Sequence, residues 1–255
     1  MPKLSIIIPV YNEELQLKNK INQLKKWKNI FSDDLELIII DSNSTDNSNV
    51  YFSSLKSEGI AEIFYLSTKD PVKRSIGSAL LEACELAKAE LIMILPVDIF
   101  IIDVHINKVM SLKFNHTTWG CFVKKYESEN LIMKFYAYLQ NQFLTTLLQQ
   151  AVWTNVFFFN KRLSEKIPTD GFLEDVLFCD RLKQISSGQI IKSKVVVSVR
   201  KYTKDGLSKR IVSNGIIILL YRCGYQNISV LKDFYTGKIG FKELLEKISG
   251  QSEFL

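Results

Sequence analysis

Two apolar segments near the start of the chain each stop abruptly on side chains that can form several hydrogen bonds. The segments, Ser5–Val10 and Glu36–Ile40, have the composition of buried strands and lie about 30 residues apart. The polar residues that follow them include Tyr11, Asn12, Asp41 and Asp46. Because an open sheet of parallel strands binds its ligand at the carboxyl ends of the strands, we expect these residues to lie along one edge of one sheet. The pattern predicts a nucleotide site at that edge.

Three further acidic residues are candidates for chemistry. Asp98 follows the apolar segment Leu91–Leu95, and a carboxylate there can hold a divalent cation that also binds a diphosphate. Glu174 and Asp175 open a predicted helix after the turn Pro168–Gly171, where Asp175 can act as a general base that takes the proton of a hydroxyl group. The alternative is structural, because acids are favoured at helix starts and at turns that follow strands.

Basic residues offer contacts to phosphate. Arg74 precedes the predicted helix Ser75–Ala89, where its guanidinium and the free N–H groups of the helix start can face a phosphate. A solvated arginine is the alternative. A denser basic run covers Arg200–Lys204, and without further context such a run indicates a solvated face.

Composition limits the class of protein. The chain has 255 residues, 47% of them hydrophobic, which suits one large α/β domain or a domain with an elaborated C-terminal half. The net charge of +6 is compatible with an anionic small substrate, a membrane surface or nucleic acid. The four cysteines form no Cys-x-x-Cys pair, so we expect reduced thiols in a cytosolic protein without a structural zinc.

Several common motifs are absent from the sequence. A Gly-x-Gly-x-x-Gly after a strand and a Gly-Lys-Ser/Thr loop are missing, which counts against a dinucleotide dehydrogenase and a P-loop NTPase. The Gly-x-Ser-x-Gly elbow of the α/β-hydrolases is missing as well. The start of the chain lacks a signal-peptide pattern, and no segment reaches the roughly 18 apolar residues that a membrane span requires. We therefore expect a chain that is soluble or bound at most to a membrane surface.

Strands and helices alternate in the first half of the chain. The predicted strands are Leu4–Pro9, Glu36–Ile40, Glu62–Leu66 and Leu91–Leu95, and the predicted helices are Glu13–Lys28, Asn47–Glu58 and Ser75–Ala89. This alternation predicts parallel strands joined by right-handed crossovers. In the second half we predict helices over Asp103–Phe114, Leu131–Leu148 and Leu173–Ile185, strands over Ala151–Asn160 and Ile190–Val199, and a helical tail over Ile211–Leu255 that is broken near Gly224 and Gly237.

These residues together resemble the family 2 glycosyltransferases, which have a GT-A fold. The run Pro9–Glu13 matches the family's opening Pro-Val-Tyr-Asn-Glu, and Asp41–Asp46 matches its Asp-x-x-Ser-Thr-Asp pattern. Arg74–Gly77 is a partial match to Arg-Asn-x-Gly, and Pro96–Asp98 keeps only the last acid of the metal motif Asp-x-Asp. The pair Glu174-Asp175 matches the Glu-Asp pair that carries the catalytic base.

Motifs of the second half narrow the resemblance. The chain is similar to a compact bacterial subgroup described as radical-SAM/selenodomain-associated transferase 2, over about residues 3–236. The motifs that carry this similarity are Trp119-Gly120-x-Phe122, Phe159-x-Lys161-Arg162, Leu173-Glu174-Asp175, Arg200-Lys201-Tyr202-x-x-x-Gly206, and Asn214 with Leu220-Tyr221-Arg222-x-Gly224.

The resemblance implies a fold and a domain organisation. We expect a Rossmann-like, mostly parallel sheet flanked by helices as a GT-A domain over residues 1–210, with a C-terminal helical extension over 211–255 packed on it. It further implies a cytoplasmic enzyme of cell-envelope polysaccharide synthesis, with a peripheral contact on the inner face of the membrane. Nucleic acid is not expected as a partner.

The resemblance also assigns roles to the candidate residues. The residues that would bind the nucleotide sugar are Pro9, Tyr11, Asn12, Glu13, Asp41, Ser44, Asp46, Arg74, Arg200 and Lys201. Asp98 would hold Mn²⁺ or Mg²⁺ on the diphosphate. Asp175, with Glu174 beside it, would deprotonate the acceptor in a reaction that inverts the anomeric carbon. The expected donor is UDP- or GDP-linked, and the expected acceptor is a hydroxyl group of a growing glycan or of a lipid-linked sugar.

Two departures from the family pattern keep alternatives open. The loss of the first metal-motif acid, at Pro96, and the replacement of the usual asparagine by Ser75 fit an altered donor choice or a lost activity. The second hypothesis is therefore a catalytically silent GT-A domain that binds a nucleotide or a protein partner. A third hypothesis is a nucleotidyltransferase, but the glycine- and arginine-rich N-terminal loop of that class is missing from the sequence.

A membrane-surface contact is a separate hypothesis. Lys209 and Arg210 stand next to an apolar stretch that ends with Ile216–Tyr221, which is typical of an interfacial helix that meets a lipid-linked acceptor. The alternative is a core helix with a basic edge.

Overall fold

The computed structural model of the chain describes residues 1–68, 70, 75–225 and 227–249. The chain divides into two compact units, residues 1–198 and residues 199–255. The predicted domain boundary between residues 210 and 211 falls inside a helix of the second unit, Leu207–Arg222. The division into a domain over 1–210 and an extension over 211–255 stays a prediction.

One eight-stranded sheet forms the centre of the first unit. Its strands are Leu4–Val10 (β1), Leu35–Asp41 (β2), Glu62–Tyr65 (β3), Leu91–Ile94 (β4), Ile99–Phe100 (β5), Trp119–Tyr126 (β6), Phe158–Asn160 (β7) and Gln189–Val197 (β8). Their order in the sheet is β3-β2-β1-β4-β7-β6-β8-β5. The pairs among β1–β4 are parallel, as is β6 with β8, whereas β7 is antiparallel to β4 and β6, and β5 is antiparallel to β8. The predicted mostly parallel α/β sheet is confirmed.

Helices connect the strands and fill both faces of the sheet. In the first unit they are Glu14–Phe31 (α1), Ser48–Ser57 (α2), Ile76–Leu86 (α3), Asp103–Met110 (α4), Leu131–Leu139 (α5), which continues as a π-helical segment Gln140–Leu147, and Glu174–Lys183 (α6). In the second unit they are Arg200–Asp205 (α7), Leu207–Arg222 (α8), Ile228–Thr236 (α9) and Phe241–Ser249 (α10). The predicted breaks near Gly224 and Gly237 fall between α8, α9 and α10.

The strands β1, β2 and β4 are buried on both faces, which explains their nearly continuous apolar sequence. Side chains of β1 alternate between two clusters: Ile6 packs with Trp27 of α1, and Ile7 packs with Ala79 and Ala83 of α3. The small residues of α3 allow its axis to lie close to the sheet. Each fully buried aliphatic side chain contributes about 1.5–3 kcal/mol, so this core fixes the two helices and the loops that precede them.

The prediction of a strand over Ala151–Asn160 was wrong for its first seven residues. Trp153–Asn155 forms a 3₁₀ turn, and only the last three residues pair as β7. The cause is Asn155, whose side chain accepts a hydrogen bond from the Val152 N–H (3.2 Å) and donates one to the Phe122 carbonyl (2.9 Å). Side-chain bonds of this kind replace the ladder that a strand would need. The strand β6, by contrast, was not predicted.

Helix α8 covers the predicted interfacial segment. Its 16 residues include Ile217, which is buried, and Val212 and Leu219, which are exposed. Within the ranges that the structure describes, no helix combines the length and apolar character needed to cross a bilayer.

Candidate functional site

The first two sequence motifs are joined by hydrogen bonds into one loop cluster. The Asn12 N–H donates to Ser44 Oγ (2.9 Å), and the Thr45 N–H donates to Asn12 Oδ1 (2.7 Å). The Glu14 N–H donates to Asp46 Oδ2 (2.9 Å). Asn12 has a φ of 53°, a left-handed conformation that asparagine tolerates better than most residues. The motif residues that follow β1 and β2 therefore form a single structure at the carboxyl ends of these strands.

Asp41 is the last residue of β2 and is only 3% exposed. It pairs with Val10 of β1, and its carboxylate accepts hydrogen bonds from the Ser44 N–H (3.0 Å) and the Ser44 hydroxyl (2.5 Å). The carboxylate thus holds its own loop in place. Each carboxylate oxygen has a second lone pair that can accept a further bond, so a donor contact is compatible with this duty.

Asp46 stabilises the other side of the cluster. Its carboxylate accepts bonds from the backbone of Glu14 and of Ser48, the first residue of α2. Burial alone would raise the pKa of Asp46, but these hydrogen bonds outweigh it and lower the pKa below its usual value. Asp46 is therefore ionised at neutral pH and anchors the start of α2.

The remaining residues of the first motif are partly open to solvent. Tyr11 is about half exposed, and Pro9 and Glu13 are partly buried at the end of β1 and in the loop after it. A binding role for these three residues stays a prediction.

Asp98 lies in the loop after β4, at the same edge of the sheet. The Leu95 N–H donates to the Ile7 carbonyl (2.9 Å), so the chain after β4 continues beside β1. The side chain of Lys20, on α1, is buried near Asp98 and donates to the Ile99 carbonyl (2.5 Å). Burial lowers the pKa of Lys20 to about 7, and the negative charge of Asp98 opposes this effect. Asp98 thus lies near a buried basic group that the sequence did not reveal.

Asp98 could hold a metal ion only if a bound ligand supplied further coordinating oxygens. Within the described ranges, no three His, Cys, Asp or Glu side chains are grouped so that they could bind a metal. Mg²⁺ commonly uses one or two protein carboxylates and takes its other ligands from phosphates and water. A single carboxylate at this position fits such a cation if a diphosphate supplies further oxygens.

Glu174 connects two loops through its carboxylate. Oε2 accepts a bond from the Gly77 N–H (2.8 Å), at the start of α3, and Oε1 accepts one from the Gly171 N–H (2.9 Å). The side chain is only 5% exposed. A Cβ added at Gly77 would lie 1.8 Å from the Pro168 carbonyl oxygen, so only glycine permits this approach. Glu174 therefore has a positioning duty, and a direct contact with the acceptor stays a prediction.

Asp175 occupies the second position of α6 and is partly buried. Its Oδ2 accepts a bond from the Trp153 N–H (3.2 Å), and its Oδ1 accepts one from the Val176 N–H (2.9 Å). Burial raises the pKa of Asp175, against the effect of these hydrogen bonds and of the nearby charge of Lys124. A carboxylate with a raised pKa is a stronger base than an exposed aspartate, as a general base requires.

Asp41 and Asp98 follow strands of the sheet, and Asp175 is bonded to a turn that leads into β7. Because β7 is antiparallel to β4 and the Ile94 N–H donates to the Phe157 carbonyl (2.8 Å), the turn that contains Trp153 passes the carboxyl end of β4. This turn holds Asp175, while Asp41 and Asp98 follow β2 and β4. The gathering of Asp41, Asp98 and Asp175 in one site stays a prediction.

Three basic residues were predicted to contact phosphate. Arg74 lies outside the described residues. Arg200 is exposed at the start of α7, in the second unit, and the side chain of Lys201 is outside what the structure describes. Their proposed contacts with phosphate stay predictions.

The comparisons with known proteins identify relatives of this fold. The sequence model of glycosyl transferase family 2 matches residues 5–170. No curated protein sequence matches the chain significantly. Among solved structures, a mannosyltransferase from Pyrobaculum calidifontis in complex with GDP-mannose and Mn²⁺ is similar, with a TM-score of 0.65, 18% identity, and coverage of 92% of this chain and 69% of that chain.

A second similar structure is glucosyl-3-phosphoglycerate synthase from Mycobacterium tuberculosis, in complex with Mn²⁺, UDP and glucosyl-3-phosphoglycerate. Its TM-score is 0.57 at 17% identity, and the match covers 89% of this chain and 81% of that chain. At this level of identity the similarity establishes the fold. The predicted family and the predicted GT-A fold are both confirmed.

Proposed function

Because the chain belongs to glycosyl transferase family 2, we propose that it moves a sugar from a nucleotide-diphosphate donor to a hydroxyl acceptor with inversion at the anomeric carbon. The observation that carries this proposal is the hydrogen-bonded loop cluster of Asn12, Ser44 and Asp46 after β1 and β2. The base candidate Asp175, on α6, is bonded to the turn that contains Trp153 and precedes β7.

The proposed reaction is a single displacement. Asp175 accepts the proton of the acceptor hydroxyl, whose oxygen forms a bond to the anomeric carbon. The bond from that carbon to the diphosphate oxygen breaks, and its electron pair leaves with the nucleoside diphosphate. A retaining reaction through a covalent intermediate would need a second carboxylate as nucleophile. Glu174, the nearest acid in the sequence, is held by Gly77 and Gly171, which favours inversion.

Donor binding is assigned to the loops after β1, β2 and β4. The Pro9–Glu13 loop, Asp41 and Arg74 would hold the nucleoside, and Asp98 would hold Mn²⁺ or Mg²⁺. The similar mannosyltransferase and synthase structures contain Mn²⁺ with GDP-mannose or UDP, which supports this assignment. When bound, such a cation offsets negative charge on the departing diphosphate. Loops and charges in fixed positions suit this reaction. In its transition state the bond to the diphosphate is largely broken, so the reacting groups need orientation and the leaving group needs stabilisation.

A nucleotide panel tests donor binding. We expect thermal unfolding of the protein to shift upward with one of UDP, GDP, CDP and dTDP, and to shift further with Mn²⁺. A ligand at 100 times its dissociation constant adds about 2.7 kcal/mol, which raises Tm by roughly 5 °C for a domain of this size. The Asp98→Asn variant should keep the nucleotide shift and lose the additional Mn²⁺ shift.

The panel also separates the alternatives. A shift with a nucleoside diphosphate but no turnover of any sugar donor would favour the catalytically silent domain. Release of pyrophosphate from a sugar phosphate and a nucleoside triphosphate would instead indicate a nucleotidyltransferase. Absence of a shift with all four nucleotides, with and without Mn²⁺, would contradict the donor site.

For the acceptor we propose what the sequence predicts, a growing glycan or a lipid-linked sugar. The proposed cellular location is the inner face of the membrane. In the second unit, Arg210 of α8 packs over the Tyr235 ring at 4.1 Å and bonds to its hydroxyl, so this part of the basic edge is engaged within the unit. Val212 and Leu219 remain exposed on the same helix.

A sedimentation experiment tests the membrane contact. We expect the protein to sediment with anionic vesicles at low salt, and the Val212→Ser/Leu219→Ser variant to sediment less, because these two side chains would enter the lipid interface. Leu86→Ser, which removes an exposed leucine from α3, is the matched control. Failure of the parent protein to sediment would rule out a lipid-surface role for α8.

A further inference from the structure

Lys124 is a buried lysine that the proposed mechanism does not use. It lies on β6 and is only 2% exposed, and its Nζ donates to Thr154 Oγ1 (2.9 Å). Asn141 holds its backbone on both sides, accepting from the Lys124 N–H (3.0 Å) and donating to the Lys124 carbonyl (2.7 Å). The next residue, Lys125, is exposed. The strand thus turns one of two adjacent lysines into the protein interior and fixes it there.

The buried ammonium and the candidate base are bonded to adjacent residues of one turn. Thr154, its hydrogen-bond partner, follows Trp153, whose N–H binds the Asp175 carboxylate. The negative charge of Asp175 raises the pKa of Lys124, and the positive charge of Lys124 lowers the pKa of Asp175. The same 3₁₀ turn therefore holds the carboxylate through its backbone and the ammonium through a side chain.

Among the described residues, two further titratable groups lie near this pair, and both are thiols. Cys121, on β6, acts electrostatically on Lys124, and Cys179, on α6, belongs to the same buried cluster as Cys121. Burial raises the pKa of Cys121 to about 12, so its thiol is neutral at physiological pH. Asp175 is then the group that supplies negative charge to Lys124. Burial lowers the pKa of Lys124 to about 8, and Asp175 opposes this effect.

We propose that Lys124 is a positioning residue that acts through Asp175, and that its buried ammonium keeps the carboxylate ionised so that it can take the acceptor proton. The physical reason is that a carboxylate removed from water tends to neutralise unless an opposite charge lies near it. This role rests on the proposed function, because it concerns the base of the proposed reaction.

Loss of the Lys124 charge should change the pH dependence of activity in one direction. A general base must be deprotonated, so activity falls as the pH drops through the pKa of Asp175. Burial raises this pKa, and the charge of Lys124 lowers it. Loss of the Lys124 charge therefore moves the acid limb of the pH–rate profile to higher pH.

Neutral variants of Lys124 test the role. We expect Lys124→Met and Lys124→Gln to lose activity about tenfold or more at pH 6, because a neighbouring opposite charge changes an ionisation equilibrium by at least that factor. The loss should shrink as the pH rises to 8. Lys124→Gln can still bond to Thr154, so it separates the charge from the hydrogen bond. Lys125→Met, which removes the same charge from the exposed position of β6, is the control and should leave the profile unchanged.

A second readout does not depend on turnover. The Asp175 carboxyl can be followed by ¹³C NMR during a pH titration of aspartate-labelled protein, with Asp175→Asn to assign its signal. In the Lys124 variants we expect the carboxyl to protonate at higher pH than in the parent. An unchanged titration in both folded variants would overturn the inference, as would an unchanged pH–rate profile. A shifted titration in a protein that turns over no sugar donor would support the charge pairing and contradict the proposed function.

Discussion

Replacement of Asp175 by asparagine is expected to lower kcat for sugar transfer by about 10²–10⁴-fold, the contribution of a positioned general base. Asparagine has nearly the same shape, but its single amide oxygen can accept only one of the two bonds that Asp175 accepts, from the Trp153 N–H and the Val176 N–H. Because this loss also lowers Tm, kcat is compared at a temperature where both proteins are fully folded. Asparagine cannot take a proton from the acceptor hydroxyl. The loss should therefore appear in kcat, with little change in the KM for the donor.

The control for this variant lies on the same helix. Asp180, on α6, is about one-fifth exposed and pairs with Lys183 at 2.8 Å. Asp180→Asn removes an equal charge without touching the Trp153 turn, and we expect its kcat to stay close to that of the parent. If Asp175→Asn and the parent turned over donor at equal rates, Asp175 would have no role as the base.

The loop cluster was predictable because its signals are local. In Pro9–Glu13 and Asp41–Asp46, polar residues follow strands whose apolar runs are unmistakable, and parallel strands place such residues at one edge. The strand β1 was predicted as Leu4–Pro9 and extends to Val10, and β2 was predicted as Glu36–Ile40 and covers Leu35–Asp41.

Long-range contacts could not be predicted in the same way. The β6 strand, Trp119–Tyr126, contains the pair Lys124-Lys125, which the sequence pattern predicts to be exposed. The burial of Lys124 depends on Asn141 and Thr154, which lie 17 and 30 residues further along the chain. Lys20 is similar, because it lies on an amphipathic helix and bonds to the carbonyl of Ile99. A sequence read one segment at a time contains no signal that such lysines are buried.

For Glu174, the sequence motif indicated a functional residue, but it did not indicate which groups the side chain contacts. The Glu-Asp pair indicated catalysis for both acids. Glu174 accepts the N–H groups of Gly77 and Gly171, whereas Asp175 accepts those of Trp153 and Val176. A catalytic role for either acid stays a prediction. The partner of Glu174, Gly77, is 97 residues away in sequence, so its contact depends on the completed sheet.

Replacement of Glu174 by glutamine is expected to destabilise the first unit by about 3 kcal/mol, because hydrogen bonds to a charged group contribute roughly 1.5–3 kcal/mol each. The amide has one accepting oxygen, so its NH₂ group would meet either the Gly77 N–H or the Gly171 N–H, donor against donor. The expected fall in Tm is roughly 6 °C or more, measured by thermal unfolding and by urea denaturation.

The control for the stability prediction is Glu165→Gln, which changes a side chain that is 70% exposed and should leave Tm within about 1 °C. The two adjacent acids then differ in the main effect of their substitution: Asp175→Asn mainly lowers kcat, whereas Glu174→Gln mainly lowers Tm. Glu174→Gln would also displace the start of α6, so its activity is compared at a temperature where both proteins are fully folded. A glutamine variant with the parent's Tm and a kcat reduced by 10²-fold or more would reverse the assignment and make Glu174 a catalytic residue.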